Sequence, residues 1–347
     1  MRVLCVTAMM WVHVNPGLSE ASAVTTGDYP LIGAVFGETL GRISVSLLSF
    51  LSGYLFWITA SKRPFEDIAQ RRFLSVMVPM LVWSTLYVLL ASAQTAAGEG
   101  ATSSVRGIGA TILDFVNAVT GIAGPTANQS LFFLRDLFVV TMIAALLRPL
   151  IRHFPTSVGV GIVIAGSFDV YAPLVFRPSI LQFFLIGAVL ARLGVSITRL
   201  SQPMIALPIG YLLTVLGIVL SLRPELFGPM TAEVPSFVRR SGIAFLMMAI
   251  AASLVGLAPG LRIDRLGRHA FLAYLMHVPL ISLLWLVWRH FIGGADLPAY
   301  TIFFLFAPAV SFALSVFFGS ELDHAPERLQ TLLRGKSFDG DEPKGPR

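Results

Sequence analysis

The chain has 347 residues, 55% of them hydrophobic and 13% charged, with a mean hydropathy of +0.78. Soluble domains carry about 25% charged residues. Here 11 of the 44 charged residues fall in positions 321–347, which leaves 33 for the first 320 residues. That excludes a cytosolic enzyme, a disulfide scaffold (Cys5 is the one cysteine) and a disordered chain. What remains is an all-α, polytopic membrane protein partnered by the lipid bilayer. The net charge of +6 does not point to nucleic acid, because basic residues of membrane proteins collect in cytoplasmic loops.

A membrane helix needs roughly 20 largely apolar residues. In chain order the candidate spans are 2–16, 36–60, 73–93, 131–147, 156–176, 180–198, 203–222, 241–260, 269–289 and 299–319, ten in all. The first is short, with an apolar run from Val3 to Val12. It lacks a small-residue cleavage site and reads as a helix, not a removable signal. Segment 107–122, GIGATILDFVNAVTGI, is apolar on one side. It reads as an interfacial or re-entrant helix within loop 94–130. Residues 1–320 form the expected transmembrane domain. The tail, 321–347, mixes both signs with Gly and Pro and is expected to be a cytoplasmic, poorly ordered end.

Loop charge sets the orientation. Alternate loops from the N-terminus, together with the tail, hold 17 basic residues, among them Lys62, Arg63, Arg71, Arg72, Arg148 and Arg152. The opposite loops hold six: Arg106, Arg177, Arg223, Arg239, Arg240 and Arg289. The excess predicts that both termini are cytoplasmic, which an even number of spans requires.

An ionisable group inside the bilayer costs a few kcal/mol or more, so each needs a reason. Arg2 and His13 are eleven positions apart on the first span. A continuous α-helix would separate them by about 16 Å and place them on nearly the same face. A lone imidazole on an apolar helix is ordinarily a packed, hydrogen-bonded side chain. Its unperturbed pKa near 6.5 also suits removal of a hydroxyl proton. Glu38 and Arg42, four apart at the start of the second span, read as a local ion pair. Ser52-Gly53, in mid-span, reads as a site of close helix packing. Arg71 and Arg72 are ordinary membrane-surface anchors or, alternatively, a cradle for phosphate groups. Arg135 and Asp136 point about 100° apart on a helix, so each is expected to find its partner on another helix. His277 is the second intramembrane histidine. Phosphate-binding glycine loops, paired cysteines and zinc-protease motifs are missing, and no metal is expected.

Six segments in sequence order resemble the membrane-bound acyltransferase 3 family, bacterial O-acyltransferases of surface polysaccharides. They are RVLCVTAMMWVH, GRISVSLLSFLSGYLF, RRFLSVMVP, LFFLRDLFVV, LQFFLIGAVLARLG and RLGRHAFLAYLMHVPLI. Two positions depart from the family pattern: Ser75 stands where a further Arg is common, and Phe132 where Trp is common.

The resemblance implies His13, Arg2 and Arg135 as catalytic residues, Arg71 and Arg72 as donor-binding residues, and Arg42, Ser52, Asp136 and His277 as supporting ones. It further implies an inner-membrane enzyme with no bound cofactor. An acyl-CoA, acetyl or succinyl, would be the co-substrate. A glycan or lipid-linked sugar would be the acceptor, and polysaccharide assembly proteins would be partners. The residues alone also allow a ten-span transporter or flippase, or a structural subunit of an envelope complex.

Overall fold

The computed structural model describes residues 1–14, 32–96, 111–124, 126–167, 174–222, 233–257, 263–294 and 299–335, apart from a few side chains that include those of Glu38 and Arg42. Every regular element among them is helical. In chain order these are α1 (Arg2–Met10), α2 (Arg42–Ala60), α3 (Phe65–Arg72), α4 (Val78–Ala96) and α5 (Ile112–Thr120). Then come α6 (Phe132–Leu146), α7 (Arg148–His153), α8 (Pro155–Ser167), α9 (Pro178–Arg192) and α10 (Ile197–Leu200). The last are α11 (Pro203–Ser221), α12 (Glu233–Leu257), α13 (Ile263–Phe291), α14 (Ala299–Leu322) and α15 (Glu327–Arg334). A 3₁₀ turn, Trp11–His13, follows α1, and π-helical stretches at Ala34–Gly41 and Phe73–Met77 lead into α2 and α4.

Each predicted span falls on a helix. Among the described residues six helices are long and apolar enough to cross a membrane: Val35–Ala60, Phe65–Ala93, Pro203–Ser221, Glu233–Leu257, Leu266–Phe291 and Ala299–Leu322. The other four predicted spans coincide with α1, α6, α8 and α9, of 9, 15, 13 and 15 residues. At 1.5 Å per residue even 15 residues reach only about 22 Å, short of the roughly 30 Å hydrocarbon layer. Proline at the first turn helps start α7, α9 and α11, where its missing N–H costs nothing.

The chain divides into two compact units. The first comprises Met1–His13, Thr26–Arg63 and Val139–Arg268. Its core gathers Cys5, Ala8, Leu47, Phe50, Phe183, Ile243 and Met247. Helices α2 and α9 cross backbone to backbone: Gly53 lies against the main chain of Phe184, and Gly187 against that of Phe50. Beside this crossing the Phe56 and Phe184 rings pack 5.7 Å apart, and Tyr54 donates to the Val195 carbonyl at 2.9 Å. A Cβ on either glycine would overlap backbone that cannot swing aside. Gly53→Val or Gly187→Val is therefore expected to cost at least the roughly 1–3 kcal/mol of an overpacked core. The loss would be read as membrane-inserted protein and melting temperature. Gly161→Ala on α8, where an added Cβ meets nothing within 4 Å, is expected to be silent.

The second unit comprises Val14–Thr25, Pro64–Phe138 and His269–Arg347. Leu272, Met276, Leu280 and Leu322 form one core cluster, with Trp83 and Leu333 packed on it. Trp83 donates its indole N–H to the Leu333 carbonyl at 2.8 Å, which docks α15 on α4. Residues 321–335 thus depart from the expected poorly ordered tail. Leu333 supplies an apolar contact and Trp83 a half-buried donor, and composition alone reveals neither. Residues 336–347 lie outside the described part.

Helix α5 confirms a helix in the predicted segment 107–122, starting at Ile112. Thr111 accepts from the Asp114 N–H at 3.1 Å, while its own N–H and hydroxyl donate to the Asp114 carboxylate at 3.1 and 2.6 Å. This reciprocal cap closes the first turn, and Gly121, at φ 67°, ends the helix. The Thr111 hydroxyl, and then its backbone N–H, hold the Asp114 carboxyl below its ordinary pKa of 3.8. The sign follows from that lowered value: the cap stabilises α5 above pH 3.8 and is lost as pH falls through Asp114's own value. Thr111→Ala should speed amide exchange in α5 about fivefold at neutral pH. The difference should vanish in acid.

Candidate functional site

In the first unit, α1 ends at Met10 and the chain tightens into the 3₁₀ turn that carries His13. A 3₁₀ turn advances 120° per residue. His13 is therefore swung about 60° beyond the position that a continuous α-helix would give it, and no longer lies over Arg2. Arg2 is exposed on the first turn and His13 is half-buried. The turn packs on the π-helical stretch Ala34–Gly41: the Trp11 and Phe36 rings are 4.9 Å apart, and Gly41 lies under Val12 and the Ala8 carbonyl. This stretch contains Glu38 and leads straight into α2 at Arg42. The predicted Glu38–Arg42 pairing lies outside the described side chains. Ser52 is half-buried beside Gly53.

Arg148 fills a role that the sequence did not indicate. It donates to the Ala145 carbonyl at 2.7 Å, the Arg63 carbonyl at 2.5 Å and the Ser61 carbonyl at 3.2 Å. It thereby covers carbonyls beyond the end of α2, as cations at helix C-termini do. A basic residue directly after an apolar span is the signal that could have suggested this.

In the second unit, Arg71 and Arg72 close α3, just before the π-helical stretch Phe73–Met77. Both are half-buried. Arg71 is held by Asp67 one turn back, Nε to Oδ1 at 2.7 Å.

Arg135 and Asp136 correct an expectation. They do pair with one another, Nη1 to Oδ1 at 2.7 Å, with the Asp136 side chain wholly buried and that of Arg135 13% exposed. The angle between their Cβ directions misled, because a long guanidinium arm curls around the first turn of α6 and reaches its neighbour.

His277 is fully buried on α13, and its Nδ1 lies 2.5 Å from the Tyr274 carbonyl. A carbonyl only accepts, so Nδ1 carries a proton, and in a neutral ring Nε2 is then the basic nitrogen. Tyr274 packs 5.7 Å from the His277 ring and donates its hydroxyl to the Ser130 carbonyl. The loop it grips, Thr126–Leu131, is itself mostly buried. Thr126 donates to the Asn128 carbonyl at 2.6 Å, and Ser130 donates to Asn128 Oδ1 through both its hydroxyl and its N–H. Sequence reasoning passed over these residues because they are uncharged and stand outside every predicted span, at the end of loop 94–130.

Of the residues singled out from the sequence, Arg2, His13, Arg42 and Ser52 belong to the first unit. Arg71, Arg72, Arg135, Asp136 and His277 belong to the second.

No solved structure matches the chain. It is similar to a curated protein named succinoglycan biosynthesis protein ExoH, from Rhizobium meliloti (strain 1021). The two are 26% identical over 329 residues, 91% of this chain and 85% of that protein. A family model described as "Acyltransferase domain" (Acyl_transf_3) matches residues 1–318. With its apolar helices and nearly its whole length inside that match, the chain belongs to the acyltransferase 3 family of membrane proteins.

Proposed function

We propose that the protein is an inner-membrane O-acyltransferase of ten spans with both termini cytoplasmic. It moves an acetyl or succinyl group from acyl-CoA to a hydroxyl of an exopolysaccharide, its lipid-linked precursor or another envelope glycan. The observation that carries this reading is the family match over residues 1–318. The kinship with a succinoglycan biosynthesis protein over 91% of the chain supports a polysaccharide acceptor. Family membership also favours transfer over the transporter alternative. The 17-to-6 excess of basic residues supports the topology.

In this proposal His13 takes the proton of the sugar hydroxyl as its oxygen attacks the thioester carbonyl. The tetrahedral intermediate then collapses, an ester forms, and the CoA thiolate leaves with the proton held by His13. The basic residues Arg2, Arg71 and Arg72 would meet the donor's phosphates. Arg42 would stabilise the oxyanion. The pairing of Arg135 with Asp136 supports a positioning role for Arg135.

The test is mass analysis of surface glycans from cells with and without the protein. Loss of the mass increments that acetyl or succinyl esters add to the glycan is the expected outcome. Identical spectra would overturn the proposal.

A further inference from the structure

The second unit contains buried hydrogen-bonding groups that the proposed chemistry does not use. Tyr87 and Val88 on α4 share an apolar cluster with Ala118, Val119, Ala127 and Val278. Asn128 follows Ala127 in the chain, and Val278 follows His277. Ser84 lies one turn before Tyr87 on α4. Asn128 and Ser84 are wholly buried and Tyr87 is 3% exposed, yet the Asn128 Nδ2, the Tyr87 hydroxyl and the Ser84 hydroxyl have no hydrogen-bond partner among the described residues. Leaving such a group unsatisfied costs about 1–3 kcal/mol. Of the six such atoms in this unit, these three lie on or next to the cluster that joins α4 to the Asn128 loop and call for an occupant.

The chemistry narrows that occupant. Asn128 is pinned by Ser130 at Oδ1, so its NH₂ is fixed as a donor. The two hydroxyls can donate or accept. None of the three is charged, which suits a neutral polyol better than a phosphate or carboxylate. Tyr274, which packs on His277 and donates to Ser130 two residues after Asn128, places an aromatic ring close to the Asn128 loop. Loop 94–130 carries one basic residue, Arg106, against four in positions 61–72. In the proposed topology it therefore faces the side where a glycan is presented, opposite the donor's phosphates.

We infer that Ser84, Tyr87 and Asn128 form an acceptor subsite that binds sugar hydroxyls of the glycan beside His277. The inference rests on the proposed glycan acylation. Tyr87→Phe tests it, because removing a hydroxyl that no described protein group binds does not weaken the fold. Ser84→Ala is the second variant, and Asn128→Ala the third.

Three quantities are measured for each: melting temperature in lipid nanodiscs, the Kd for CoA, and ester content of the cell's own surface polysaccharide. Tyr87→Phe and Ser84→Ala should melt at or above the wild-type temperature and bind CoA within twofold of wild type. Their ester content should fall at least fivefold. Wild-type ester content in both would mean that the groups hold an internal water only, and would overturn the inference. A parallel loss of CoA affinity would assign them to the donor and overturn it equally. The broader reading fails separately, if wild-type cells and cells lacking the protein have the same ester content.

Discussion

His13→Ala should lower acyl transfer by about 10²–10⁴-fold, the range that a positioned general base contributes, with membrane-inserted protein near its normal amount. The turn that carries His13 is held by its neighbours: Trp11 packs on Phe36, and Val12 and Ala8 pack on Gly41. Those contacts do not involve the half-buried imidazole, and its removal leaves them in place. The measurement is ester content of the surface glycan per cell, set against immunodetected protein in isolated membranes. Arg2→Ala, measured in parallel, should raise the acyl-CoA concentration needed for half-maximal transfer if, as proposed, this exposed cation meets the donor's phosphates. Full esterification by His13→Ala protein at normal abundance would move the proton-accepting role away from the first unit, and His277, with its basic Nε2, would be the next residue to test.

Arg135→Ala is expected to act on the fold first. Asp136 is wholly buried with the Arg135 guanidinium 2.7 Å from its carboxylate. Removing one partner of a buried pair costs about 3–5 kcal/mol, because the remaining charge stays in a medium that cannot solvate it. Little inserted protein should therefore be recovered, and the remainder should melt well below wild type. Replacing both residues with apolar groups of similar volume, Arg135→Met with Asp136→Leu, should restore much of the lost stability. This double variant separates structure from chemistry. If it is folded and active, the pair only positions α6. If it is folded and inactive, at least one of the two groups acts in the reaction. Normal stability of the single Arg135→Ala variant would contradict the buried-pair account.

The helices were legible because the bilayer admits few alternatives: a run of apolar residues closed by Arg or Pro forms a helix wherever it sits. Their ends were less so. Helix α12 begins at Glu233, eight residues before the predicted 241, because amphipathic turns at a membrane surface need no apolar run. Arg240, read as a loop residue, instead donates to the Ser179 hydroxyl at 2.7 Å. The Arg135–Asp136 pair was misjudged because helical geometry fixes Cβ directions and not the reach of an arginine. Arg2 and His13 were correctly placed on one short helix but assigned to one face, since a change from α to 3₁₀ winding leaves no mark in the residue pattern. The loop Thr126–Leu131 was illegible for a different reason. Its burial depends on Tyr274, which donates to Ser130 from 144 positions away, and no local signal carries that information.

The π-helical stretch at Ala34–Gly41 has a consequence for how the first unit tolerates length changes. A wider-wound segment behaves like an α-helix with extra residue slack, so α2 is phased against its own leading turns by a backbone defect and not by side chains. Deleting one residue there would let the segment rewind as ordinary α-helix and change the phase of everything upstream relative to α2. The hydrophobic length of the span would scarcely change. Insertion into the lipid would proceed as before, but the surface offered to Trp11 and His13 would be a different one, so a lesion invisible to hydropathy would still uncouple the first helix from the second.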